Sequence, residues 1–311
     1  MVCLGIVTAL AIALDIGGSG VRAAALDSGG NPIDVVRAQL AREWDLDTLW
    51  GAIVRCARAV LEGPAVDAVA ASFPAFLGAD GRVINIANLP ALEGFDLAGC
   101  LSKELGCASA IAIPDLAATV LAESRRGAGV GYRRVLATAI GTGVNAALAV
   151  DGQILDVAMG GLGDAGHVIV EADGERCPCG GRGCLESVCS GTALAAMADR
   201  QGWRDVRELA ERLRAGDPIA ARIIERAGRG LGRAIASWAV MLAPDIVTVG
   251  GSVSLIGAPL LQFATAEMRR IGAPHWVSRL RIVPARFPVD AALIGAGLAA
   301  HEQLVSRATA T

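Results

Sequence analysis

Lysine is almost missing from this 311-residue sequence, and so is any concentration of positive charge. Lys103 is the single lysine among 28 basic residues, the formal net charge is −3, and the arginines are scattered. Nucleic acids are bound by clustered Lys and Arg side chains, so no nucleic-acid partner is expected. No glycine-rich segment carries the lysine of a Walker A motif.

Long hydrophobic runs are lacking as well. No apolar segment reaches the ~20 uninterrupted residues that a membrane span needs. The opening residues, "MVCLGIVTALAIALDIGG", are apolar, but they lack the basic start of a secretory signal and run into a glycine-rich turn. We therefore expect a buried strand in the latter part of this segment, in a cytoplasmic protein that does not contact a membrane.

Composition indicates a folded globular chain. Hydrophobic residues make up 53% and charged residues 19% of the sequence, and its length suits two domains or one large one. Four of the eight cysteines have no disulfide-framework spacing, so we expect them to be buried thiols. These four are Cys3, Cys56, Cys100 and Cys107.

Two segments share one pattern, a buried strand that is interrupted by glycines and then resumes. They are residues 9–40 and 133–155, and each predicts an antiparallel meander. Further strands are predicted within 66–74, 109–114, 244–254 and 279–287. Helices are predicted within 45–62 (with Asp47 as N-cap), 97–106 (ending at Gly106), from Asp115, within 192–243 and within 290–308. The order of elements predicts a two-lobed α/β protein.

Three glycine turns follow predicted strands: "DIGGSG" at 15–20, "GTG" at 141–143 and "GGS" at 250–252. Without a Cβ, backbone N–H groups in such turns can surround an oxyanion, and three of them in order point to a polyphosphate. Asp15, at a strand end, is placed to hold Mg²⁺ directly or through water. The predicted nucleotide-binding residues are Asp15, Gly17, Gly18, Ser19, Gly20, Gly141, Thr142, Gly143, Gly250 and Gly251.

Asp115 follows Pro114 at a predicted strand-to-helix junction. An aspartate there is commonly an N-cap, which stabilises a helix by about 1 kcal/mol. The alternative is a general base that accepts a proton from a substrate hydroxyl during phosphoryl transfer. Spacing alone favours the cap.

One histidine and three cysteines are concentrated in "HVIVEADGERCPCGGRGC". An imidazole with three thiolates is the donor set that tetrahedral Zn²⁺ prefers, and four protein ligands leave no open position for catalysis. A redox role is less favoured because there is no Cys-x-x-Cys motif. The sequence predicts a structural zinc site at His167, Cys177, Cys179 and Cys184.

The segment "GDAGHVIVEADGERCPCGGRGCLESVCSG" resembles the signature of the ROK (repressor, open reading frame, kinase) sugar kinases. "LDIGGSGVRAAALD" and "AIGTGVNAALAVDGQI" resemble the phosphate motifs of that family, "APDIVTVGGSVS" its adenosine-side turn and "ALIGAGLAA" its closing helix. The resemblance covers essentially the whole chain.

The resemblance implies an α/β, two-lobed, actin-like ATPase (ribonuclease H-like) fold with an interdomain cleft. The implied domains are 1–116 plus 291–311, and 117–290 with the zinc-binding loop. ATP with Mg²⁺ is the implied donor, polyphosphate being the alternative, and a homodimer is the implied assembly. Asp115 would be the catalytic base, and the implied sugar contacts are Asn88, Asp164, His167 and Glu186.

Three residues depart from the family pattern on the acceptor side. Pro114 stands where the family has Asn, Asp164 where it has Glu, and Ala75 where a Gly follows the proline of "SFPAF". A site that hydrogen-bonds hydroxyls discriminates strongly when those bonds change. We therefore expect an amino sugar or sugar-like cyclitol rather than plain glucose, phosphorylated at a primary hydroxyl.

The alternative function is that of a non-catalytic ROK-type sugar sensor or regulator. Regulators of this family carry a DNA-binding domain before the first phosphate motif, and only fourteen residues precede Asp15 in this sequence. Together with Asp115 and the three glycine turns, this favours the kinase.

Overall fold

The computed structural model describes residues 11–27, 29–61, 66–158 and 161–310. They divide into two compact units. The first comprises the described residues of Met1–Ala122, Asp156–Gly161 and Asp290–Thr311, and the second Glu123–Leu155 and Leu162–Val289. The domain bounds implied by the family resemblance stay a prediction.

A five-stranded mixed sheet forms the centre of the first unit. Its strands are β1 (Ala11–Gly17), β2 (Gly20–Leu26), β3 (Pro32–Gln39), β4 (Ala68–Phe73) and β7 (Ser109–Pro114), in the order β3-β2-β1-β4-β7. The glycine-interrupted segment forms the predicted antiparallel meander of β1, β2 and β3. β4 and β7 then add in parallel. A small hairpin, β5 (Phe76–Leu77) with β6 (Val83–Ile84), follows β4.

Helices pack against this sheet and close its core. They are α1 (Leu46–Arg58), α2 (Leu97–Leu105) and α10 (Ala291–Ala310), while α3 (Asp115–Arg126) follows β7 and continues into the second unit. Gly106 ends α2 in the left-handed conformation (φ 62°), as predicted. Fully buried side chains such as Ile12, Leu14 and Ile53 come from the apolar strands and from the inner face of α1.

The second unit repeats the arrangement around another five-stranded sheet. Its strands are β8 (Arg134–Ile140), β9 (Val144–Val150), β10 (Gln153–Ile154), β11 (Ile246–Gly250) and β12 (Arg281–Pro284), in the order β10-β9-β8-β11-β12. The predicted meander is confirmed as β8, β9 and β10, while β11 pairs in parallel with β8 and with β12.

The helices of the second unit are α4 (Leu185–Cys189), α5 (Gly191–Asp199), α6 (Val206–Arg214), α7 (Pro218–Leu242), α8 (Ala258–Ile271) and α9 (Pro274–Val277). The buried carboxylate of Glu267 on α8 pairs with Arg233 on α7, at 3.0 Å, and with Arg270. These pairs lower the pKa of Glu267 to about 2, so it stays ionised in the α7–α8 interface. Within the described part of the chain, no helix combines the length and the apolar character of a membrane span.

The N-cap of α1 differs from the prediction. Asp45, rather than Asp47, accepts a hydrogen bond from the backbone N–H of Thr48 at 2.8 Å. The helix begins at Leu46, so Asp47 lies inside its first turn. Both residues are acids ahead of one apolar pattern, and the sequence alone does not fix which of them has the extended backbone that a cap requires.

We predict that Asp45→Ala lowers the free energy of unfolding by about 1 kcal/mol, because the first turn of α1 loses its side-chain acceptor. The matched control is Asp47→Ala, which removes only a first-turn charge and is expected to cost at most about 0.5 kcal/mol. Urea unfolding followed by circular dichroism measures both. Equal losses in the two variants would contradict the assignment of the cap.

Candidate functional site

The four predicted metal ligands lie together in the second unit, on what we call the metal loop (residues 167–184). Their donor atoms are all within 4.8 Å of one another. Cys177 Sγ lies 3.5 Å from His167 Nδ1, and Cys179 Sγ lies 3.7 Å from Cys184 Sγ. Zn–S bonds of ~2.3 Å and a Zn–N bond of ~2.0 Å place neighbouring tetrahedral donors about 3.5–3.8 Å apart. The donor set therefore fits Zn²⁺.

Glycines allow the metal loop to turn this tightly. The Cys177 N–H donates to the Gly181 carbonyl at 2.9 Å, and the Gly181 N–H points at Cys179 Sγ at 3.4 Å. Gly183 has a φ of +65°, and a Cβ there would collide with the carbonyl oxygen of Glu171. The short ligand spacing thus depends on residues without side chains.

The thiols of the metal loop differ in how easily they ionise. Burial raises the pKa of Cys177, and raises that of Cys184 to about 12. The hydrogen bond from the Gly181 N–H instead lowers the pKa of the exposed Cys179. Because zinc binds thiolates, loading must release protons from the two buried thiols, and metal affinity should rise with pH.

The second ring nitrogen of His167 faces a carboxylate. His167 Nε2 lies 3.3 Å from Asp164 Oδ2, while Nδ1 faces the metal ligands. A carboxylate on the far side of a ligating imidazole fixes its tautomer and orientation. Asp164 itself is 42% exposed, so its carboxylate remains open to a ligand.

Glu186 connects the start of α4 with the second glycine turn. Its Oε2 accepts a hydrogen bond from the Val144 N–H at 2.9 Å, and a Cβ on Gly143 would collide with the same carboxylate. The predicted acceptor residue Glu186 and the predicted phosphate residue Gly143 are therefore neighbours.

The start of α5 lies against the other residues of this turn. The Gly191 N–H donates to the Gly141 carbonyl at 2.7 Å, and Thr192 Oγ1 donates to the Thr142 carbonyl at 2.8 Å. The position of α5 is thus tied directly to the backbone of the second glycine turn.

The second and third glycine turns lie at one edge of their sheet. β8 and β11 run parallel, with Gly250 opposite Ala139, so their carboxyl ends coincide. Gly251 has a φ of +82°, and a Cβ on it would collide with the backbone of Ile140. Only glycine allows the two turns to approach this closely.

The first glycine turn lies in the first unit, where β1 passes into β2. Gly17 pairs with Gly20, which leaves Gly18 and Ser19 as the two turn residues. The Asn88 side chain packs on this turn, since a Cβ on Gly18 would lie 3.0 Å from the Asn88 Cβ. Asn88, predicted as an acceptor contact, is thus beside the predicted phosphate residues.

Asp15 is held by two residues that the sequence analysis missed. Its Oδ2 accepts hydrogen bonds from Arg22 Nε at 3.0 Å and Nη2 at 2.6 Å, and its Oδ1 accepts one from Ser72 Oγ at 2.8 Å. Arg22 Nη1 also donates to Asp290 at 2.6 Å. The two-residue turn of Gly18 and Ser19 places Asp15 opposite Arg22, so a hairpin register drawn through the predicted glycine turn could have revealed this pair.

Asp115 is the first residue of α3, directly after the carboxyl end of β7. Its Oδ1 accepts a hydrogen bond from the Leu116 N–H at 2.7 Å, whereas a capping side chain bonds an N–H two or three residues on. Burial of its carboxyl group, and then the charge of Asp15, raise the pKa of Asp115 to about 7. A carboxyl group with this pKa is an acceptor poised near neutral pH.

A profile of the ROK family matches residues 11–303. The chain belongs to the ROK family. It is 34% identical over 250 residues to a kanosamine kinase of Amycolatopsis mediterranei, which covers 77% of this chain and 79% of that protein. It is 26% identical over 311 residues to a glucokinase of Thermotoga maritima, with 94% and 98% covered.

A solved ROK structure extends the comparison to the fold. The ROK hexokinase from Thermus thermophilus aligns with a TM-score of 0.81 at 26% identity, covering 96% of this chain and 99% of that one. The predicted ROK membership and actin-like α/β fold class are confirmed. With relatives named as kinases, the ROK chain is an ATP-dependent carbohydrate kinase.

We predict that Cys179→Ser reduces bound zinc to well below one equivalent per ROK chain, because a hydroxyl replaces one of four soft donors. Inductively coupled plasma mass spectrometry of purified protein measures the stoichiometry. The control, Cys100→Ser, changes a half-buried thiol outside the metal loop and should keep the wild-type metal content. Unchanged zinc in Cys179→Ser would refute the ligand set.

In wild type, a competing chelator should remove zinc more easily at pH 6 than at pH 8, because the ligating thiols must be deprotonated to bind the ion.

Proposed function

We propose that this ROK kinase transfers the γ-phosphoryl group of ATP to a primary hydroxyl of an amino sugar or a sugar-like cyclitol, with Asp115 as general base. The observation that carries the proposal is the placement of Asp115 at the carboxyl end of β7, next to Asp15, with its pKa raised to about 7. A base whose pKa lies near the working pH combines ionisation with proton affinity.

The proposed reaction balances without a further reactant. As the acceptor hydroxyl attacks the γ-phosphorus, its proton passes to the ionised Asp115 carboxylate. A new P–O bond forms to the acceptor, the bond to the β-phosphate oxygen breaks, and ADP leaves. Catalysis then rests chiefly on positioning and on stabilising charge, as is usual for phosphoryl transfer.

The glycine turns supply backbone N–H groups for the phosphates of ATP in this proposal. Both oxygens of Asp15 already accept hydrogen bonds, from Arg22 and Ser72, which favours contact with Mg²⁺ through water over direct ligation. When bound, Mg²⁺ would supply charge neutralisation of the phosphate groups.

The acceptor would be bound by four polar side chains, and the zinc would have a structural role. The four ligands of the metal loop would hold the zinc, and the bound ion would supply a cross-link that fixes the orientation of His167 beside its partner Asp164. Glu186 is fixed by its bond to Val144. The carboxylate and imidazole groups of these residues suit hydroxyl and amino substituents. In the first unit, the side-chain amide of Asn88 stays a predicted acceptor contact.

The departures from the family pattern support an acceptor other than glucose. Pro114 ends β7 as a buried residue without a side-chain amide, and Asp164 is one methylene shorter than the family Glu. An amino group offers donors and a charge that a carboxylate recognises well. The relative named kanosamine kinase has an amino sugar in its name, which agrees with this class.

The homodimer stays part of the proposal, and sedimentation velocity would measure the oligomeric state.

We predict that Asp115→Asn lowers kcat by at least about 100-fold, since an amide cannot accept the hydroxyl proton. Metal content and sugar affinity should remain as in wild type. For wild type, kcat/KM should fall as pH drops below about 7, because protonation of Asp115 removes the base. A coupled assay of ADP release measures these rates, and Asp47→Asn is the control for loss of one acid. Near-wild-type activity in Asp115→Asn would eliminate Asp115 as the base.

The acceptor class is tested by a screen of ADP release with hexoses, amino sugars and cyclitols. We expect kcat/KM for the best amino sugar or cyclitol to exceed that for glucose at least about tenfold, which corresponds to one or two changed hydrogen bonds. Glucose as the best acceptor would contradict the proposed class. A wild-type chain that binds these sugars without any ADP release would instead be the non-catalytic sensor.

A further inference from the structure

A cavity in the second unit has a largely apolar lining and three arginines. It measures about 370 Å³ and is formed by the end of α5 and the first turns of α7. From α7, Ile219, Arg222, Ile223 and Arg226 follow the spacing i, i+3, i+4, i+7, so they share one helix face. This face, Met197 of α5 and the two residues just after α5, Arg200 and Gln201, form what we call the arginine groove.

Two of the three arginines are held in place by acids of the metal loop. Arg200 donates to both carboxylate oxygens of Glu175 at 3.0 Å, and Arg226 donates to both oxygens of Glu171 at 3.1 and 2.8 Å. The guanidinium planes are therefore fixed before any ligand arrives.

The third arginine leaves the groove with an excess of positive charge. Arg222 is exposed, and among the described residues no acid pairs with it and no hydrogen bond reaches its side chain. Three guanidinium groups thus face two carboxylates. A free guanidinium beside oriented neighbours matches the planar, bidentate geometry by which arginine binds phosphate oxygens.

The volume of the groove and its apolar side chains favour a ligand larger than a single ion. Met197, Ile219 and Ile223 form an apolar surface next to the charges, and the volume lies within the range of small-molecule sites. We propose that the arginine groove is an effector site for a phosphorylated small molecule. The phosphate would bind Arg222, and the rest of the ligand would pack against the apolar surface of the groove.

The connections of the groove suggest how binding there would reach the kinase site. α5 spans roughly 13 Å between the groove and its first residues, which are bonded to the Gly141–Gly143 turn. In addition, Arg200 and Arg226 join the groove to Glu175 and Glu171 of the metal loop. A ligand that contacts these arginines would thereby stabilise one arrangement of that loop over others.

The proposal goes beyond the kinase function, and its test is a binding measurement that does not depend on turnover. Isothermal titration calorimetry of wild type, Arg222→Gln and Arg269→Gln uses inorganic phosphate, glucose 6-phosphate and ADP as probes. Arg269 is an exposed arginine on α8 outside the groove, so it matches the charge change. Any binding to the kinase site is common to all three proteins, which isolates the groove.

We expect Arg222→Gln to weaken binding of at least one phosphate probe about tenfold, because one charge-assisted contact is lost. Arg269→Gln should bind as wild type, and KM for ATP should stay within about twofold in both variants. If Arg222→Gln weakens the binding of glucose 6-phosphate alone, the ligand is an organic phosphate. If it weakens the binding of inorganic phosphate equally, the phosphate group alone is sufficient for binding to the groove. Equal binding of every probe by the two variants would overturn the proposal. A change of oligomeric state in Arg222→Gln, with no probe binding to the groove, would also overturn the proposal. The groove would then be an interface between copies of the chain.

Discussion

Parallel pairing of strands is the constraint on which the rest of the candidate site depends. In the first unit, β1, β4 and β7 run in the same direction, so Asp15, Ser72 and Asp115 come to one edge of the sheet although about a hundred residues separate the first from the last. In the second unit, the parallel pair β8 and β11 brings two glycine turns together in the same way. Neither arrangement needs a contact that is local in sequence.

The same edge explains why two neighbouring aspartates can have different roles. Arg22 and Ser72 satisfy both oxygens of the Asp15 carboxylate with hydrogen bonds. Among the described residues no cationic side chain bonds Asp115, and burial, followed by the charge of Asp15, raises its pKa. Acids in such different surroundings suit different roles in the proposed reaction, with Asp115 as the base and Asp15 near the phosphates.

Much of this could be predicted from the sequence, because the strongest signals were local. Glycine-interrupted apolar runs predicted both meanders, and the spacing of one histidine and three cysteines predicted which side chains come together. The misplaced cap of α1 and the missed partner Arg22 show the limit. A cap depends on the backbone angles of one residue, and an ion pair across strands depends on register, so neither is encoded by composition or periodicity.

One property of the metal loop concerns its chemistry before metal arrives. Cys179 is the exposed thiol of the set, its pKa is lowered, and its sulfur lies 3.7 Å from that of Cys184. Thiolate character and solvent access are what make a cysteine prone to oxidation, and a second sulfur within reach allows a disulfide to form. Coordination of an ion by the metal loop would occupy both sulfurs at once. The bound ion would therefore protect the newly made chain from oxidants as well as shape its loop, so metal supply and redox state would jointly limit how much competent protein a cell obtains.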